Sequence, residues 1–264
     1  MSPVSSSLLY HYTDKKGLWG IIKNGFKPSY SREKILTNPD AHFDFAVPMA
    51  CFCDIPEELA TIQRSNYGDY AIGLYDSWRI ENRLNPILYL SKDSDLFNQI
   101  KKLGEITVYA KNTYEDKTLT PRTGNTITAA DFHPDPEIVA ELKELFYSLL
   151  IRVKPYIGPK YDNAGKLVNM EFKYYDEREY RYIFERLPVN LVYKKDTNIP
   201  EYIKKVAESE PFLCFKQSDI GRIIVKEPSD VNDVTELINN SDIIGGNKKH
   251  SAQMPIICTW DNII

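Results

Sequence analysis

The chain alternates between short, densely apolar runs and stretches where apolar residues recur three and four apart. The first run, Leu8–Thr13 (LLYHYT), reads as a buried strand. Thr13 or Asp14 can cap a following helix through a side-chain oxygen. Leu18, Ile21 and Ile22 then share one helix face, and Gly25 stands where a left-handed C-terminal cap is expected. Residues 28–46 are polar and irregular and read as a surface loop. A second buried strand is predicted at 47–55, then a helix starting at Pro56 with Glu57 and Glu58 in its first turn, where the macrodipole favours acids.

A third strand is predicted at 70–75, a short helix at 76–84 and a fourth strand at 87–91. Turn formers without clear periodicity fill 111–135, which predicts a long loop of the functional or mobile kind. The strongest helix is predicted at 136–153, with Ile138, Leu142, Leu145 and Leu149 on one side. Further strands follow at 168–173, 179–187, 221–226 and 255–260, with a helix at 231–239. Short strands and helices without regular βαβ spacing argue for a mixed α+β domain. There is no internal repeat or low-complexity tract.

Composition narrows the class without naming a function. The 42% apolar and 27% charged residues are those of an ordinary globular protein. No run approaches the roughly 18 apolar residues of a membrane span. Residues 1–7 lack the basic start and apolar core of a secretory signal. Four cysteines are too few for a disulfide scaffold and suit a reducing compartment, so a cytoplasmic protein is expected. The 18 tyrosines favour rigid pockets and stacking surfaces as well as core. Charge is uneven: residues 152–205 hold twelve basic and eight acidic side chains, a net of +4 within a chain of net −4. Such a stretch can hold an anionic ligand, or it can be a solvated face.

Three features bear on chemistry. Cys51 and Cys53 form a Cys-x-Cys pair with no partner at metal-site spacing, which favours buried core and no metal. His11 lies at a strand end just before a helix start, where it could donate to a ligand hydroxyl with Thr13 beside it, or be a satisfied core histidine. In YYDEREYRYIF, strand alternation puts Glu177, Glu179 and Arg181 on one face and Arg178, Tyr180 and Tyr182 on the other. Two carboxylates and an arginine on one face are costly to bury unless paired or bound to something.

Leu8 to Phe26, LLYHYTDKKGLWGIIKNGF, resembles the opening strand and helix of ADP-ribosyltransferase-like domains, and Glu177-Arg178-Glu179 resembles their Glu-x-Glu motif. The resemblance implies NAD as substrate, with His11 on its nicotinamide ribose, Thr13 as helper, Glu179 as catalytic carboxylate and Glu177 toward the acceptor. It also implies an aromatic that stacks on nicotinamide, for which Phe52, Tyr67 and Tyr70 are candidates. A longer likeness follows the order HYTDKKGLWGIIKNGFKPSY, AVPMACFCDIP, YGDYAIGLYDSWRIENRLNPILYLS and YYDEREYRYIF, and is to the AbiGi group of bacterial abortive-infection proteins. That group belongs to phage-defence operons of toxin–antitoxin type and is described as the antitoxin half.

Together the resemblances imply an α+β fold with the split mixed sheet of ADP-ribosyltransferase-like domains, as one domain over 1–264 with an insertion at about 111–160. The activity they imply is transfer of ADP-ribose from NAD onto a macromolecule, RNA favoured. Arg178, Lys154, Lys160 and Lys166 would meet a single-stranded nucleic acid, with Tyr156, Tyr161, Tyr174 and Tyr175 stacking on its bases. The alternative is a non-catalytic antitoxin that neutralises a toxin encoded nearby by binding it. The transferase reading makes a geometric demand: His11 and Glu179, 168 residues apart, must face each other across one cleft.

Overall fold

Strand alternation along β1 (Leu8–Thr13) sends Leu9 and His11 to one side and Tyr10 and Tyr12 to the other, and the whole fold is organised around that division. The computed structural model describes residues 5–36, 42–115, 135–161, 167–184, 190–191, 205, 208, 211–240 and 254–263. It is a mixed α+β protein whose chain forms two compact units. The first comprises residues 1–34, 43–87 and 175–264, the second residues 35–42 and 88–174.

The main sheet has nine strands, with the path β13 (Ile256–Thr259), β12 (Ile220–Val225), β4 (Tyr70–Tyr75), β1, β3 (His42–Cys53), β10 (Glu179–Ile183) and β5 (Asn85–Pro86). Strands β2 (Ser29–Leu36) and β11 (Asn190–Leu191) also pair with β3. All pairings along the path are antiparallel except β12 with β13, which is parallel. The first side of this sheet is apolar. Leu9, Phe52, Ile72, Leu74 and Ile223 pack there beneath α1 (Lys15–Asn24), α3 (Asp76–Glu81) and α6 (Asp230–Asn239), which contribute Leu18, Ile22, Trp78, Val234 and Ile238. The second side is smaller and more polar, built on Tyr10, Tyr12, Cys53, Ala71 and Ile224 with Ala60.

Local signals hold the elements in place. Asp14 caps α1 by accepting from the Gly17 N–H at 2.6 Å, and Gly25, at φ 87°, returns its N–H to the Ile21 carbonyl. Lys15 at the start of α1 donates to the buried Asp230 at the start of α6 (2.5 Å). Asp230 also accepts from the Tyr70 hydroxyl (2.7 Å). Gly73 lies between Tyr10 on β1 and Arg222 on β12, and a Cβ there would stand 2.5 Å from the Tyr10 ring.

The second unit holds α4 (Asp95–Glu115) packed on α5 (Pro136–Leu150), a parallel pair of β6 (Leu88–Leu90) and β7 (Val153–Pro155), and an antiparallel hairpin of β8 (Ile157–Tyr161) and β9 (Leu167–Lys173). No helix among the described residues is long and apolar enough to cross a membrane.

Three predictions need correction. Much of 28–46, predicted as loop, is strand: β2 and the first part of β3, held by pairing that a polar local sequence does not announce. Residues 111–115, predicted to begin a loop, close the long helix α4, and 116–134 lie outside the described residues. In α5 the row of Ile138, Leu142, Leu145 and Leu149 lies on one side as predicted, with Ile138, Leu145 and Leu149 exposed, and the buried residues are Val139, Phe146 and Leu150 beside it. What needs correction is the predicted end at 153: the helix ends at Leu150, and Val153 begins β7.

Candidate functional site

Register settles where the chemistry-bearing side chains point. Cys53 on β3 stands opposite Tyr10 on β1 and opposite Glu179 on β10. Side chains opposite one another in a ladder share a face, so Glu179 lies on the Tyr10 side of the sheet. His11, one residue on from Tyr10, points to the other side, where its ring meets Phe26 edge-on (centroids 5.1 Å) and Phe52 at 5.6 Å. The expected facing of His11 and Glu179 across one cleft is therefore corrected: they occupy opposite faces of the sheet.

His11 Nδ1 is 2.7 Å from the Cys51 carbonyl, a contact that requires the proton on Nδ1 and leaves Nε2 as the acceptor. Burial pushes the imidazole pKa below its usual value, against a weaker upward pull from the Cys51 bond, so the ring is neutral. Phe52 is buried in the same aromatic group, with Phe26 at 4.9 Å and Trp78 at 5.4 Å. Tyr70 is buried with its hydroxyl on Asp230 and its ring edge-on to Trp19. Thr13 ends β1 close against Gly17, where a Cβ would lie 2.0 Å from Thr13 Oγ1. Tyr67 closes α2 (Thr61–Tyr67) and is exposed. Of the aromatics expected to stack on nicotinamide, Phe52 and Tyr70 are thus core residues.

The opposite face carries a line of buried polar groups. The Arg181 guanidinium, almost wholly buried, donates to Glu179 at 2.7 Å and to Glu33 on β2 at 2.8 Å. Burial alone would lower the Arg181 pKa, but the two carboxylates more than reverse this and keep it charged. Further along the sheet the Tyr10 hydroxyl donates to Glu57 (2.6 Å), which also pairs with Arg222. Burial, and then the Glu57 bond, hold the Tyr10 hydroxyl protonated. Burial likewise pushes the Cys53 thiol up, so it acts as a small hydrophobe. Among the described residues no group of three or more His, Cys, Asp and Glu side chains is placed to hold a metal ion.

Glu33, Glu57 and Arg222 complete these networks; sequence reasoning read Glu57 only as a first-turn helix acid and did not single out Glu33 or Arg222. Glu33 fell in a segment predicted as loop, and nothing local marks it as the partner of Arg181.

Glu177 is buried, but it does not share a strand with Glu179. It lies in the 3₁₀ turn Tyr174–Glu177, and Arg178 between them takes a left-handed φ of 45°. The predicted alternation from 177 to 181 is corrected accordingly: it begins at Glu179. Arg178 donates to Ser5 Oγ (3.0 Å) and lies 3.8 Å from Asp54.

In the second unit the Lys154 ammonium lies 5.1 Å from the Tyr174 ring centre, Lys160 lies 4.0 Å from Phe172, and Lys173 lies 5.9 Å from Tyr156. Lys166 lies outside the described residues. In the first unit a shallow cleft of about 280 Å³ is lined by Ser6, Leu8, Asp54, Asp76, Arg79 and Tyr180. Arg79 in this cleft is already bound to Asp76 through two nitrogens (2.5 and 3.0 Å) and rests over the Tyr180 ring. Neither His11 nor Glu179 lines it.

Comparison with known proteins adds what this geometry does not supply. Residues 24–226 match the profile of a family described as "Putative abortive phage resistance protein AbiGi, antitoxin". The chain belongs to the AbiGi family. Its match to the family spans most of both units and includes the Arg181 network and α5. The chain is also similar to the abortive phage resistance protein AbiGi of Lactococcus lactis subsp. cremoris, at 28% identity over 201 residues, 69% of this chain and 72% of that protein. No solved structure matches.

Proposed function

We propose that this AbiGi-family chain is the antitoxin half of a phage-defence pair and acts by binding its toxin, without transferring ADP-ribose. The observation that carries the reading is the sheet register, which points His11 and Glu179 to opposite faces. A transferase of the kind expected needs its ribose-holding histidine and its carboxylate on one substrate. Here the histidine is spent on a backbone carbonyl within an aromatic core, and the carboxylate is spent on a buried arginine. Both side chains have structural work that explains their presence. The family description, which names an antitoxin, supports the same reading.

Two measurements test it. Co-expression with the protein encoded beside it in the operon should relieve the growth arrest which that protein causes alone. Incubation of the purified chain with labelled NAD and total cellular RNA, DNA and protein should leave NAD intact and every fraction unlabelled. Label in any macromolecular fraction would overturn the binding-only reading and restore the transferase.

A further inference from the structure

Three parallel rows of side chains run along α5. Val139, Phe146 and Leu150 form a row buried in the second unit. Next to it, Ile138, Leu142, Leu145 and Leu149 recur at spacings of four, three and four, the pattern of a helix-packing seam. Leu142 is half-buried, but Ile138, Leu145 and Leu149 are 55%, 53% and 39% exposed. On the far side of that seam, Glu137, Glu141 and Glu144 form a third row, all exposed. The apolar arc of α5 is thus wider than its own unit covers, and its free border is lined by carboxylates.

We infer that this seam is where the chain grips its toxin, through an amphipathic helix of the partner whose apolar row is flanked by Lys or Arg. The inference rests on the antitoxin reading and deepens it. An apolar helical row at a/d-like spacing is complementary to another helix laid along it. Charge selects which helix. A row of three carboxylates favours a basic flank and steers its approach, and it repels phosphate, so nucleic acid is not the occupant. A second copy of this chain fits poorly. Laid antiparallel, it would set one carboxylate row against the other. Laid parallel, it would set the carboxylates against the flank that the second unit already covers.

Calorimetric titration with the operon neighbour, at low and at high salt, tests the inference. The three proteins compared are wild type, the Leu145→Gln/Leu149→Gln variant and the Glu141→Lys/Glu144→Lys variant. The leucines are exposed, so their replacement should leave the melting temperature unchanged while weakening binding about 100-fold. The lysine variant should bind more weakly at low salt and lose the salt dependence of wild type. Should the leucine variant melt early, the charge-reversed variant alone decides the outcome. If wild type binds and the charge-reversed variant binds as tightly, with the same salt dependence, the seam is not the docking surface although the antitoxin reading stands. If wild type does not bind at all, the antitoxin reading falls and the inference with it.

Discussion

Arg181 is the residue on which the polar face of the sheet depends most. It is buried between Glu179 and Glu33, and its removal would take from two carboxylates held out of water the cation they share. Breaking a buried pair in this way costs about 3–5 kcal/mol. Arg181→Met should therefore lower unfolding free energy by that amount in urea titrations. Glu179→Gln should also destabilise the fold, which a purely catalytic carboxylate would not do. His11 gives a pH signature. Its pKa is depressed in the folded state, so the unfolded chain takes up a proton first. The stability that the neutral ring contributes is whole above its unfolded value of about 6.5 and is lost as pH falls below it, with a slope approaching about 1.4 kcal/mol per pH unit. Urea unfolding at pH 7.5, 6.5 and 5.5 should show this loss in wild type and a flatter profile in His11→Gln, which cannot be protonated. At Gly73 the constraint is steric. An added methyl would meet the Tyr10 ring, and Gly73→Ala should cost about 1–3 kcal/mol by thermal melting.

Among the elements, α1 and α6 are tied to the apolar face at their starts. Asp230 accepts from both Lys15 and Tyr70, so one carboxylate joins two helices to β4. Desolvation raises the Asp230 pKa and these two bonds more than offset it, leaving it ionised. Asp230→Ala should speed amide hydrogen exchange in α1 and α6 while leaving β1 and β4 protected. Uniform exchange across all four would mean that the helices hold by apolar packing alone. The same tie was invisible along the chain, since 215 residues separate Lys15 from Asp230. In contrast, β1, β4 and the start of α1 were legible. Their apolar runs and the Asp14 cap are local features that tertiary packing reinforces. β2 was not legible, because its run Ser-Tyr-Ser-Arg-Glu-Lys has the composition of a loop and becomes strand only by pairing with β3.

For the whole molecule, the antitoxin reading predicts linkage between partner and stability. A toxin that binds the folded chain and not the unfolded one should raise its melting point in a concentration-dependent way, by about 2.7 kcal/mol of stability at 100 times the dissociation constant. A melting point indifferent to the partner would contradict the reading. The chain's net charge of −4 and the carboxylate row of α5 favour a partner with basic surface.

The sequence alone determined the α+β class, most strands and helices, the buried character of Cys53 (Cys51, expected in the core with it, is only half-buried), and the likeness to AbiGi proteins. These follow from periodicity, from capping residues and from long motifs in order, all carried by neighbours along the chain. Only the tertiary structure decided which face each side chain reaches. Strand order and register put Cys53 between Tyr10 and Glu179, and a shift of one residue in either pairing would have reversed the result. The same holds for α5, whose apolar arc is wide enough to present either row inward, so that packing selected Val139, Phe146 and Leu150 and left Ile138, Leu145 and Leu149 outside.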